Sequence, residues 1–440
     1  MRRWMVLGSM LGLWAVSVVQ GLHAEEESIT LAVCAPFTGD CADYGKMIQR
    51  GVNLKLKEIN DKGGIHGRKV RLVFKDDEGR GDAAAIVAHD VASNNSISAV
   101  IGHFNSSCSM AAKPIYMKQG LVALTPGSTN VDVCQGSPWF FRNLYRDDFQ
   151  GECIARFLAE CLKVHRVVVI YENDTYGTGL KTFFLKKAQE LGLEIVSEYG
   201  YNRESKDFSS IISKVKYGNP EVVFVSGLYT EAGLIASMMA SKGVKIPLIA
   251  GDGVFSPQFI EIAGPAAEGA MITTPYVNDP AAGPLVAPFA EAFMMEFKEE
   301  PDFCAALSYD ALGTLAKVIE KVGPDRTAIR DELARMTTPE TGYIGVTGNT
   351  YFDSNGDCSK PLFVSRVRNG KLTYCEMQLP PESPKAAPPV VAIRPAMETV
   401  PSQPKPEETP EASKGLGVSV YLAVGVLAAV ILMLFRRRRT

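Results

Sequence analysis

Residues 166–199 read RVVVIYENDTYGTGLKTFFLKKAQELGLEIVSEY. The stretch opens on Val167-Val168-Val169-Ile170-Tyr171, a short β-branched apolar run, and residues 194–199 form a second strand candidate. Residues 176–191 between them read as a helix. Strand, helix and strand in such close succession leave room only for a parallel pair with the helix lying on one face of the sheet. The same rhythm continues downstream as helix 208–216, strand 222–226, helix 230–242 and strand 247–250, and begins upstream with a helix from Asp147 to about residue 162.

An earlier run has the same character. Residues 29–36 are an apolar strand candidate, and Ile48, Val52, Leu56 and Ile59 follow at spacings of four, four and three, one stripe of an amphipathic helix. Gly63-Gly64 ends that helix, and Val70, Leu72 and Phe74 alternate as a strand. A helix from about Ala83, a strand at 97–101, a helix from about Ser107 and a strand at 121–124 complete the run. Two runs of this kind predict an α/β protein with two doubly wound parallel-sheet lobes and a ligand cleft between them.

In open parallel sheets ligands bind beyond the carboxyl ends of the strands, where loops feed helix N-termini. Two such loops are rich in hydroxyls: Gly102-His103-Phe104-Asn105-Ser106-Ser107, and Thr125-Pro126-Gly127-Ser128-Thr129-Asn130. Backbone N–H groups and hydroxyls at a helix start attract a carboxylate or phosphate, although Ser and Asn there serve equally as helix caps. In the second run Tyr229-Thr230-Glu231 follows one strand, and Gly251-Asp252-Gly253 follows the next. An anion-receptive loop in one lobe facing an acid in the other points to a zwitterionic ligand.

The ends of the chain carry their own signals. Residues 1–24 read as a signal peptide, with Arg2 and Arg3 before an apolar run. Residues 379–414 form a proline-rich linker holding ten of the chain's 26 prolines. Residues 415–435 are expected to form a C-terminal transmembrane helix, with the basic tail 436–440 held in the cytoplasm. The expectation is an exported protein, periplasmic or at the cell surface, attached to the cytoplasmic membrane through that helix; a processed sorting signal is the alternative reading.

The 440 residues are 46% hydrophobic and 22% charged, an ordinary globular balance. Without the six terminal arginines, 40 basic residues face 49 acidic ones, a net charge of −9 that disfavours nucleic acid as a partner. All nine cysteines fall between Cys34 and Cys375; Cys358 with Cys375, flanking an expected hairpin, is the pair best placed for a disulfide. No GxSxG, HExxH or Walker motif occurs, so neither an enzyme nor a cofactor is expected. Asp353-Ser354-Asn355-Gly356-Asp357 has its glycine at the wrong place for a calcium loop and reads as a turn.

Several segments resemble the type I periplasmic binding proteins of ABC importers, in particular the leucine/isoleucine/valine-binding group. They are Pro36-Phe37-Thr38-Gly39 with Tyr44-Gly45, Ile59-Asn60-Asp61-Lys62-Gly63-Gly64-Ile65, Val100-Ile101-Gly102-His103, the 125–130 loop, Tyr176-Gly177-Thr178-Gly179 and Ala266-Ala267-Glu268-Gly269. The resemblance implies that an amino acid is bound between lobes that close upon it and is passed to importer membrane subunits. It places the ligand's carboxylate on Ser106, Ser128 and Thr129, its ammonium on Asp252 and Tyr229, and aromatic walls at Tyr44, Tyr176 and Tyr309. It also implies three crossings, giving a first lobe of about 25–146 and 277–353 and a second of about 147–276 and 354–378. Asp252 stands where the group usually has Glu, and Tyr44 where Trp is frequent, so the amino-acid frame is implied more firmly than a leucine side chain. The same fold also serves membrane-attached receptors that sense an amino acid or amide, the alternative function.

Overall fold

The computed structural model describes residues 28–375 and 377–379. The first sheet contains β1 (Ile29–Ala35), β2 (Val70–Asp76), β3 (Ile97–Gly102), β4 (Ala123–Thr125) and β5 (Phe140–Arg142) in the order β2-β1-β3-β4-β5, every pair parallel. Both β1 and β3 are buried along their whole length, as expected of central strands covered on both faces. The connecting helices are α1 (Ala42–Asp61), α2 (Gly81–Ser93) and α3 (Ser106–Gln119). Gly63 and Gly64 take positive φ immediately after α1, and Gly120 ends α3 in the left-handed conformation that a residue with a Cβ resists.

The second sheet is built from β6 (Arg166–Glu172), β7 (Glu194–Tyr201), β8 (Val222–Ser226), β9 (Leu248–Ala250) and β10 (Met271–Thr274), joined by α4 (Asp147–Arg156), α5 (Thr175–Glu190), α6 (Ser209–Gly218), α7 (Tyr229–Ser241) and α8 (Pro257–Ala263). After β10 the chain returns to the first lobe, where α10 (Phe303–Val322) packs along α1, with α9 (Val286–Phe297) and α11 (Arg326–Arg335) beside it. A small hairpin, β11 (Tyr343–Gly345) with β12 (Gly348–Thr350), follows, and the chain then crosses back to add β13 (Phe363–Arg368) and β14 (Lys371–Tyr374). The order is β14-β13-β10-β9-β8-β6-β7.

The second sheet is not wholly parallel. β13 runs antiparallel to β10, and β14 antiparallel to β13, because this part of the chain re-enters from the first lobe and turns back within the sheet. Arg368 pairs with Lys371 across a two-residue turn whose Asn369 and Gly370 both have positive φ, the geometry that an Asn-Gly hairpin requires.

Two sequence expectations are corrected. The C-terminal transmembrane helix expected at 415–435 finds no counterpart among the described residues, where the fold is the two-lobed α/β assembly and no helix is long and apolar enough to cross a membrane. The longest helices, α1 and α10, each bury one face against the other and carry lysines and acids elsewhere, the pattern of helices packed in an aqueous protein. Residues 415–435 themselves, like the signal 1–24, most of the linker and the basic tail, lie outside the described residues. The expected Cys358–Cys375 disulfide is not formed: both are buried thiols, and the Cys358 thiol is directed to the carbonyl of Ser359 at 3.5 Å.

Candidate functional site

The carboxyl ends of β3, β4, β8 and β9 converge on a narrow hollow between the lobes whose free space is about 20 Å³. Phe104, Asn105, Ser106, Gly127 and Phe303 line it from the first lobe, and Tyr176, Leu228, Asp252 and Gly253 from the second. Typical ligand pockets hold about 300–1,000 Å³, so the two walls stand close together here.

The first-lobe wall is held by hydroxyls folded back on backbone. The carbonyl of His103 accepts from the hydroxyls of Thr125 at 2.5 Å, Ser128 at 3.2 Å and Ser109 at 3.3 Å. Beneath it the His103 ring lies between Asp77 at 2.6 Å and the Tyr116 hydroxyl at 3.0 Å, all three buried. Ser128 also reaches the Phe104 carbonyl at 2.8 Å, so its side chain joins the two loops internally. Ser106, at the first turn of α3, lines the hollow and accepts only from the Asn130 amide, at 3.3 Å, which leaves its own proton to be donated. The Thr129 hydroxyl is buried without a partner among the described residues.

Asp252 lines the opposite wall, and a second buried carboxylate, Asp147, lies near it. Asp252, 3% exposed, accepts at one oxygen from the Tyr176 hydroxyl at 2.7 Å, while its other oxygen has no partner among the described residues. The Tyr176 hydroxyl in turn accepts from the Gly253 amide at 3.1 Å, which holds the ring in place. Burial raises the Asp252 pKa, opposed by Tyr176, Gln150 and Tyr145 around it. Asp147, the first residue of α4, is fully buried, and neither carboxylate oxygen has a hydrogen-bond partner among the described residues. Burial pushes its pKa well up; the nearby Thr129 hydroxyl works against this and the charge of Asp252 adds to it. Two buried acids with unsatisfied oxygens call for a cationic partner, because an uncompensated buried charge is costly.

The expected site residues divide accordingly. Ser106 and Asp252 line the hollow, Thr129 lies in the loop behind it, and Tyr176, expected as a wall, carries the hydroxyl that meets Asp252. Ser128 is consumed by the internal bonds above. Tyr229 does not reach Asp252 by any contact seen: its hydroxyl accepts from the Asp43 amide at 3.4 Å and its ring meets Tyr44 edge-on at 4.9 Å. Tyr44 stacks on Phe104 at 4.4 Å and donates to the Gly253 carbonyl across the cleft. Tyr309 is placed elsewhere, its hydroxyl on Glu58 at 2.8 Å and its ring against Phe289, because the α1–α10 packing turns it away from the cleft.

The sequence reading missed Asp147, Phe104, Leu228 and Phe303. Asp147 reads as an ordinary acid in the first turn of a helix; the only signal was its place at the break between the two runs. Phe104 lay within a loop already chosen for its polar groups. Its ring is clamped between Tyr44 and Gly127, where an added Cβ would stand 2.1 Å from the ring.

Comparison with known proteins accords with this geometry. Residues 28–371 match a family model described as periplasmic binding protein. The Leu/Ile/Val-binding protein homolog 1 of Brucella suis is 33% identical over 353 residues, 79% of this chain and 93% of that protein. A solved leucine binding protein from Thermotoga maritima superposes with a TM-score of 0.74 at 32% identity, covering 79% of this chain and 97% of that one. The branched-chain amino acid transporter substrate binding protein of Streptococcus pneumoniae, solved in complex with isoleucine, gives a TM-score of 0.74 at 27% identity, covering 78% and 97%.

Proposed function

This chain belongs to the periplasmic binding protein family, and from that premise we propose that it is the extracytoplasmic solute-binding component of an ABC importer, taking up an amino acid with a neutral side chain. The observation that carries this reading is Asp252, buried with one oxygen unpartnered among the described residues, in the wall of the hollow that Ser106 also lines, with a second buried acid, Asp147, near Asp252. In the proposed complex the ammonium lies on the two aspartates and the Tyr176 hydroxyl, and the carboxylate on Ser106 and the Thr129 loop. The side chain then meets Phe104, Leu228 and Phe303, none of which carries charge. Ser128 and Tyr229 act indirectly in this scheme, the first by shaping the anion loop and the second by packing on Tyr44.

The lobes of this scheme are residues 25–146 with 277–353, and 147–276 with 354–378, hinged at three crossings and exported by residues 1–24. Binding with closure is the whole of the chemistry, and the closed surface of both lobes is what the importer's membrane subunits would read.

Thermal shift with each of the twenty common amino acids tests the reading. A ligand at 100 times its dissociation constant adds about 2.7 kcal/mol of stability. Stabilisation by leucine, isoleucine, valine or another neutral amino acid is expected, and a flat response to all twenty would reject it.

A further inference from the structure

Arg142 is the largest fully buried side chain of the described residues, and it ends β5 where the chain first leaves the first lobe. Its guanidinium donates to the Ser128 carbonyl at 2.9 Å, to the Asn130 carbonyl at 2.9 Å and to Asp357 at 2.6 Å. The two carbonyls flank Thr129, so one planar fork grips both sides of the residue whose hydroxyl is left unpartnered. Asp357 belongs to the 353–357 turn on the return crossing, between β12 and β13. Its second oxygen accepts from Arg146 at 3.0 Å, and the Arg142 amide donates to the Gly356 carbonyl at 3.0 Å. The 353–357 segment, read from the sequence as a plain turn, is thus the anchor of a buried arginine.

We propose that Arg142 is a positioning residue for ligand binding, holding the Ser128-Thr129-Asn130 loop in the form that receives the ligand's carboxylate and tying that loop to the hinge through Asp357. It does not touch the ligand. The inference rests on the amino-acid reading above. Lysine at this position would keep the charge but could not grip two carbonyls and a carboxylate in one plane.

The test is isothermal titration of the full chain with L-leucine, L-isoleucine and the other common amino acids, alongside urea unfolding. Arg142→Lys is expected to weaken binding at least tenfold. The double variant Arg142→Met/Asp357→Leu removes both buried charges; its urea midpoint is expected to recover part of what Arg142→Met alone loses, since no buried carboxylate is left unpaired, with affinity still at least tenfold down. A purely structural arginine would instead give affinity that follows stability and recovers in the double variant, and that result overturns the proposal. So does a lysine variant within threefold of wild type. Should the lysine variant fail to fold, the double variant carries the same comparison. A wild-type chain that binds none of the amino acids sinks the functional reading as well, whereas binding that is indifferent to Arg142 sinks this inference alone.

Discussion

Asp252 and Asp147 set the chemistry of the cleft at the scale of single residues. Asp252→Asn keeps the shape and removes the charge; losing one partner of a buried charge pair costs about 2–5 kcal/mol, so at least a thirtyfold loss of amino-acid affinity is expected by calorimetry. The raised pKa values of the two acids give a pH dependence with a definite sign. In the folded protein they hold protons at a pH where the unfolded chain has released them, so their contribution to stability is present below the ordinary carboxylate range and lost as pH rises through the raised values. An ammonium favours the ionised forms. Binding should therefore release protons and tighten as pH rises from the ordinary carboxylate range through the raised values, seen as a buffer-dependent binding enthalpy; heats independent of the buffer would remove both acids from the site. Asp252 was legible as an acid between glycines at a strand's end. Asp147 was not, because only the tertiary packing makes it buried and brings it near Asp252.

At the scale of elements, α10 illustrates how a buried charge organises a neighbour. Asp310 accepts from the amides of Val346 and Thr347, each at 2.8 Å, and from the Thr347 hydroxyl at 2.6 Å, clamping the β11–β12 hairpin to the helix. Gly345 is required there, since a Cβ would stand 2.4 Å from that carboxylate. Asp310→Ala would strand these buried donors, each costing about 1–3 kcal/mol, so a loss of roughly 3 kcal/mol is expected in urea unfolding. A loss under 1 kcal/mol would mean that the hairpin is held otherwise. The alternating elements from β1 to β9 were legible in the hydrophobic periods, usually to within two residues. Strand β5 was not, because no helix separates it from β4 and the strand–helix alternation therefore gives no cue for it; it forms by pairing with β4.

At the scale of the whole molecule, Arg203 bridges the lobes. It donates to Glu172 at 2.6 Å and Asp174 at 3.0 Å in the second lobe and to the Gly79 carbonyl at 2.6 Å in the first. The hydroxyl of Ser256 reaches Asp43 across the same opening at 2.6 Å. Burial, with the neighbouring Asp174, pushes Glu172 up to about 7 against the pull of Arg203. Arg203→Gln should favour the open arrangement, giving a larger radius of gyration in solution scattering without ligand and about a three- to tenfold weaker affinity, the factor by which the closed population falls. An unchanged radius and affinity would show that the latch carries no weight.

By itself the sequence determined the elements, their division into two α/β runs, and the loops at the strand ends where a zwitterion could be met, since hydrophobic period and loop composition are local properties. The tertiary structure alone decided which side chains in those loops are free to bind. It spends Ser128 on the backbone, turns Tyr309 to Glu58, brings Asp147 to Asp252 and sets Arg142 behind Thr129. Partnership and burial depend on groups far apart in the chain, and no local pattern records them.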